Sequence, residues 1–212
     1  MPNKIIIVTL CSFILLAAAS ITEAQQQSRF TQYNLKYGVS VQIPSHWQII
    51  DKKIMDQIDT NTELLSKVPQ GDNDIIIAAN YAVSNKTLAT VRISVRTRNT
   101  FTQDAIRKMS QSEIDKQDVL SRTMLVNALE QMNDTSTKVS AFKTTKERLS
   151  GYICVRTDYQ TIQPSETMNT SIYVIYLGNR AVKMTLSYEN NHKDLFKMTI
   201  DKIKRSLVIK SL

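Results

Sequence analysis

Over much of the chain apolar and polar residues alternate in short runs, the period of a strand with one buried face. Val39, Val41 and Ile43 alternate with Ser40 and Gln42, and Pro44-Ser45-His46-Trp47 then turns the chain. Ile75, Ile77, Ala79 and Tyr81 form a second run. Ser84-Asn85-Lys86-Thr87 turns it into a third, with Val91, Ile93 and Val95 on one side. Four more strand-like stretches follow at 139–148, 151–160, 168–177 and 180–189. Gly178-Asn179 between the last two favours positive φ and predicts an antiparallel hairpin.

Elsewhere the period lengthens to that of a helix. Residues 52–67 carry Ile54, Ile58, Leu64 and Leu65 at mainly helical spacing. Residues 102–133 read as a helical insert with a polar middle, where Ser110 and Glu113 have capping-box spacing and predict a break into two helices. Phe196, Ile200, Ile203 and Leu207 form a clean stripe near the C-terminus, with Lys193, Lys197, Lys202 and Lys204 mostly off it. Hairpins dominate, and helices do not alternate regularly with strands. The expectation is an α+β fold, a mainly antiparallel sheet of about six to seven strands packed between helices, rather than a doubly wound nucleotide fold. No repeat or low-complexity linker divides the chain, so residues 35–212 read as a single domain behind a flexible segment at 25–34.

The segment Tyr37-Gly38-Val39-Ser40-Val41-Gln42-Ile43-Pro44-Ser45-His46-Trp47 resembles the opening of the PsbP-like exported proteins, including the bacterial DcrB type, in which a strand ends in a Pro-x-x-Trp turn. Hairpins followed by one amphipathic C-terminal helix are also similar to that group. The resemblance implies an antiparallel sheet sandwiched by helices, with Trp47 in the core. The family's roles are in binding and assembly: photosystem assembly in plastids, envelope proteins in bacteria, a Ran-binding relative in the nucleus. It brings no shared active site, and the insert 102–133 has no match in it.

The first residues change the picture of where the protein works. Lys4 precedes an apolar run from Ile5 to Ala19, and Ser20-Ile21-Thr22-Glu23-Ala24 leads into Gln25-Gln26-Gln27. These are the three parts of a cleavable signal peptide, residues 1–24, with the cut after Ala24 preferred and after Ser20 in reserve. Cys11 lies inside the apolar run, so no lipid-modified cysteine is signalled, and no later stretch is apolar for long enough to span a membrane. The expected location is the periplasm or the extracellular space. Cleavage leaves Cys154 as the one cysteine, so no internal disulfide is expected, and alternation around it points to a buried thiol.

Candidate chemistry is sparse. The two histidines, His46 and His192, sit in separate turns, and no Gly-x-Ser-x-Gly elbow or phosphate-cradling glycine loop is present. Two isolated histidines and one cysteine do not make a closed zinc site. Asp72-Asn73-Asp74 begins like a calcium loop but has Val83 where the bidentate Glu belongs. Glu113, Asp115 and Asp118 are matched by Lys108, Lys116 and Arg122 as helix-surface pairs. No cofactor, metal site or catalytic residue is expected.

The formal net charge of +8 is the unusual bulk property. Arg92, Arg96 and Arg98 share one side of a strand whose other side is apolar, and Arg156 and Lys183 join them if the strands register suitably. Such a face attracts an acidic protein or another polyanion; the export signal argues against nucleic acid. The sequence therefore predicts a non-enzymatic exported protein that binds a protein partner through the insert 102–133 and the basic strand face. The alternative is a ligand-binding or enzymatic domain with a pocket between sheet and helices near Trp47.

Overall fold

The computed structural model describes residues 29–51, 53–55, 73–131 and 136–210. The expected signal segment 1–24, the first residues of the 25–34 segment and most of the expected helix 52–67 lie outside them; residues 53–55 are helical.

Strands β1 (Phe30–Asn34), β2 (Val39–Pro44), β3 (Gln48–Ile49), β4 (Asn73–Val83) and β5 (Lys86–Arg96) precede helices α1 (Gln103–Lys108) and α2 (Gln111–Gln131). There follow β6 (Lys138–Leu149), β7 (Tyr152–Gln163), β8 (Glu166–Tyr176), β9 (Ala181–Glu189), α3 (Lys193–Ser206) and β10 (Val208–Ile209). Seven strands form one antiparallel sheet in the order β3-β4-β5-β9-β8-β7-β6, and β1, β2 and β10 form a second of three strands. This is the α+β class with a mainly antiparallel sheet that the alternation predicts.

Phe30–Asn34 pairs along its backbone with β2 from Phe30↔Pro44 to Asn34↔Ser40, and its Phe30 and Tyr33 side chains pack against the main core.

The large sheet is covered on both faces. Val91, Ile93 and Val95 of β5 point toward α3 and the small sheet, where they join Val41, Ile43, Phe196 and Ile203 in the main core. Trp47 is buried there, with its ring edge-on to Phe196 at 6.5 Å. The periodic stripe of α3 supplies the matching surface, and Ser206 Oγ accepts a hydrogen bond from the Gln42 backbone N–H at 2.8 Å.

The opposite face meets Met55 over Ile75 and Ala78 at one end, and α1 and α2 over β6, β7 and β8 at the other. The break between those helices is a capping box. Glu113 accepts from the Ser110 backbone N–H at 2.6 Å, and Ser110 Oγ accepts from the Glu113 N–H at 3.3 Å.

Candidate functional site

Directly opposed residues of antiparallel strands point to the same side, so the register decides which cations share a face. Arg92, Ser94 and Arg96 of β5 lie opposite Thr185, Lys183 and Ala181 of β9. These in turn oppose Ile172, Val174 and Tyr176 of β8, and Val174 opposes Val155 of β7. Across one face the sheet passes from cationic (β5) through mixed (β9) to apolar (β8 and β7), and α1 and α2 cover the apolar end.

Arg92, Arg96 and Lys183 are thus brought together, and Arg98 follows just beyond the end of β5. Arg156 is not. It opposes Tyr173, which opposes Met184 and then Ile93, so it lies on the other face. There its guanidinium binds Glu147 at 2.9 Å and Asp158 at 2.8 Å and lies over the Tyr173 ring. Lys204 of α3 completes the group, 3.0 Å from Glu147. Burial raises the Glu147 pKa, but the hydrogen bonds from Lys204 and Arg156 outweigh it and hold the carboxyl below its ordinary value. Arg156 therefore ties β6, β7 and α3 together instead of joining the basic strand face.

Two clefts open along the graded face. The first, about 270 Å³, lies between the helices and the sheet. Ile106 of α1 and Leu125 of α2 face Val155, Ile172 and Val174 across it, with Gln117, Ser121 and Thr157 as its polar points. One end is closed by a bulge in β6, where Ala141 and Phe142 together oppose Tyr159 and Ala141 takes φ 49°. The Phe142 ring consequently stacks on Tyr159, 5.6 Å between centroids. The second cleft, about 390 Å³, is lined by Arg96, Arg98, Lys183, Asn73 and Asn99. Phe101, Val174 and Tyr176 line both.

Local hydrogen bonds position that shared wall. Asn99 Nδ2 donates to the Phe101 carbonyl at 2.8 Å and reaches the Gly178 carbonyl at 3.3 Å, while the Gly178 N–H donates to the Phe101 carbonyl at 2.9 Å. Gly178 takes φ 84°, which a side chain would strain. The result sets the Phe101 ring 5.5 Å from Tyr176. Burial pushes the Tyr176 phenol up and the charge of Arg96 opposes it. Burial likewise raises Tyr159, against a hydrogen bond with Thr170 and the charge of Arg92. Arg96 lines the second cleft; Arg92, four residues back along β5, lies on the same face of the sheet.

The other singled-out residues have structural work. Cys154 is buried beside Glu147, and burial with that carboxylate pushes its thiol up to about 11. His46 packs edge-on to Tyr81, and His192 Nδ1 lies 2.7 Å from Glu189. Asp74 accepts from Tyr37 and pairs with Lys36 at 3.5 Å. Among the described residues no three His, Cys, Asp or Glu side chains converge as a metal set, and no helix is long and apolar enough to cross a membrane. Near Trp47 the α3 residue Phe196 packs against the indole, and the chamber between α1, α2 and the sheet opens on the opposite face of the sheet.

Sequence reading missed the chamber wall, although a signal was present. Ile172-Tyr173-Val174-Ile175-Tyr176 is an unbroken apolar run, and a strand that is apolar on both sides is covered on both.

No protein-family model matches the chain, and no curated protein matches its sequence. Solved structures do match by shape. The cyanobacterial PsbP protein CyanoP from Synechocystis aligns over 85% of this chain and 92% of its own, at 11% identity with a TM-score of 0.54. LpqN of Mycobacterium tuberculosis, described as involved in cell envelope biogenesis, aligns over 86% of this chain and 91% of its own, at 11% identity and a TM-score of 0.46. The likeness to CyanoP over most of both chains gives this chain the PsbP-like fold.

Proposed function

We propose that the protein is an exported, non-enzymatic module that binds another protein, using the outer side of α2 as its docking surface. The observation that carries this reading is the exposure of Val119, Leu120 and Met124, at 68%, 54% and 50%, on a helix that already covers the sheet with its inner side. Between Asp118 and Glu130, Arg122 is the helix's one charged residue. A merely solvated helix face of that length carries charges of both signs. Leu120 and Met124, four residues apart, form the anchor pair with which a helix enters an apolar groove, so the partner is a protein offering such a groove. Export rests on the signal segment 1–24.

Crosslinking in the native compartment, followed by reconstitution with the purified partner, tests the reading. Leu120→Glu with Met124→Glu is expected to abolish the complex while leaving the thermal midpoint unchanged. A complex that forms equally well with the double variant rules the surface out. N-terminal sequencing of the exported protein is expected to begin at Gln25.

A further inference from the structure

The two clefts of the graded sheet face share three wall residues and differ in their chemistry. The chamber under α1 and α2 is apolar apart from Gln117, Ser121 and Thr157. Its volume of about 270 Å³ leaves room for a short or folded hydrocarbon chain. The neighbouring cleft presents Arg96, Arg98 and Lys183. A molecule passing from one to the other runs along Phe101, Val174 and Tyr176, which belong to both. Phe101 is 51% exposed, so the apolar surface continues outward to the cations. A hydrocarbon that enters the chamber leaves its polar end among guanidinium and ammonium groups, and those reward a negative head.

From this juxtaposition we propose that the groove binds a single-chain anionic amphiphile, its hydrocarbon chain in the chamber beneath α1 and α2 and its carboxylate or phosphate head at Arg96 and Lys183. The site uses the inner side of the helical pair. It stands whether or not the outer side of α2 docks a protein.

The probes for the purified protein are dodecanoate, dodecyl phosphate, dodecyl maltoside and inorganic phosphate, titrated calorimetrically below their micellar concentrations. At least one anionic C12 probe is expected to saturate at one per chain and to bind at least about tenfold tighter than dodecyl maltoside, a ratio in keeping with charge-assisted hydrogen bonds. A preference for dodecanoate identifies a fatty acid as the source, and a preference for dodecyl phosphate a phosphorylated lipid. Arg96→Gln with Lys183→Gln is expected to remove that advantage over the neutral probe. Ser121→Phe, which puts a ring into the chamber, is expected to weaken every C12 probe. Should that variant fold poorly, methyl NMR shifts of Ile172 and Val174 on titration of the unaltered protein report chamber occupancy directly. The proposal is overturned if neither anionic C12 probe saturates, if dodecyl maltoside or inorganic phosphate binds as tightly, or if the methyl signals stay still. Salt-sensitive binding of an acidic protein with no dependence on a chain overturns it as well.

Discussion

The side-chain amide of Gln103 pairs with the backbone of Ile153 in both directions, donating to its carbonyl at 3.0 Å and accepting from its N–H at 2.8 Å. The same Nε2 donates to the Tyr176 carbonyl at 2.8 Å. The pairing of β7 with β8 ends at Val155↔Val174, so Gln103 bridges the two strands just past the point where they separate. One residue of the first helical turn thereby fastens α1 to β7 and β8. Gln103→Ala leaves those backbone groups without the amide and is expected to cost about 1–3 kcal/mol. Hydrogen exchange is expected to rise across α1 and α2 before it rises in β5 and β9. Uniform loss of protection would mean that Gln103 does not fasten the pair.

Exchanging Arg156 and Arg96 in turn separates the two faces. Arg156→Gln leaves Glu147 and Asp158 facing each other without their shared cation and is expected to destabilise by about 1–3 kcal/mol. Arg96→Gln, at an exposed position, is expected to stay within about 0.5 kcal/mol of the parent. Denaturant unfolding of both variants checks the contrast, and equal effects would contradict the register.

Stability is expected to fall on the acid side. The hydrogen bond from Lys86, helped by that from His192, holds the Glu189 carboxyl below its ordinary value against burial, and Glu147 is likewise held low. A carboxyl with a lowered folded pKa contributes fully above the unfolded value, here 4.5, and loses the contribution as pH drops through the folded one. Thermal midpoints are expected to hold above about pH 5 and to decline below it. Replacing both residues with Gln should flatten that decline; an unchanged slope would place its cause elsewhere.

Cys154 is expected to resist alkylation. With its thiol pushed up to about 11, about one molecule in a thousand carries the thiolate at pH 8, and the sulfur is buried as well. Iodoacetamide labelling of the Cys154 peptide should be slow in the native protein and fast in denaturant. Rapid native labelling would show that the strand opens.

Much of the fold was legible because local periods carry it. Alternation marked the seven longer strands, and the α3 stripe at Phe196, Ile200 and Ile203 marked the last helix. The spacing of Ser110 and Glu113 marks the break between α1 and α2. The short strands β3 and β10 carried no such mark, since two residues are too few to show a period, and in β1 the two core-facing residues, Phe30 and Tyr33, are three apart and do not alternate.

The chain alone determined its class, its seven longer strands, its last helix, its cationic strand and the burial of Cys154, because each follows from residue spacing within a segment. The expectation of an export signal at residues 1–24 rests on the same kind of local pattern. Only the tertiary structure decided that Lys183 stands with Arg92 and Arg96 while Arg156 faces the other way. Side chains alternate within a strand, but the offset between strands is set by pairing, and a shift of one residue moves a side chain to the opposite face. The groove arises the same way. No segment contains it, and it exists because β5, β9 and β8 lie side by side in an order the sequence does not state.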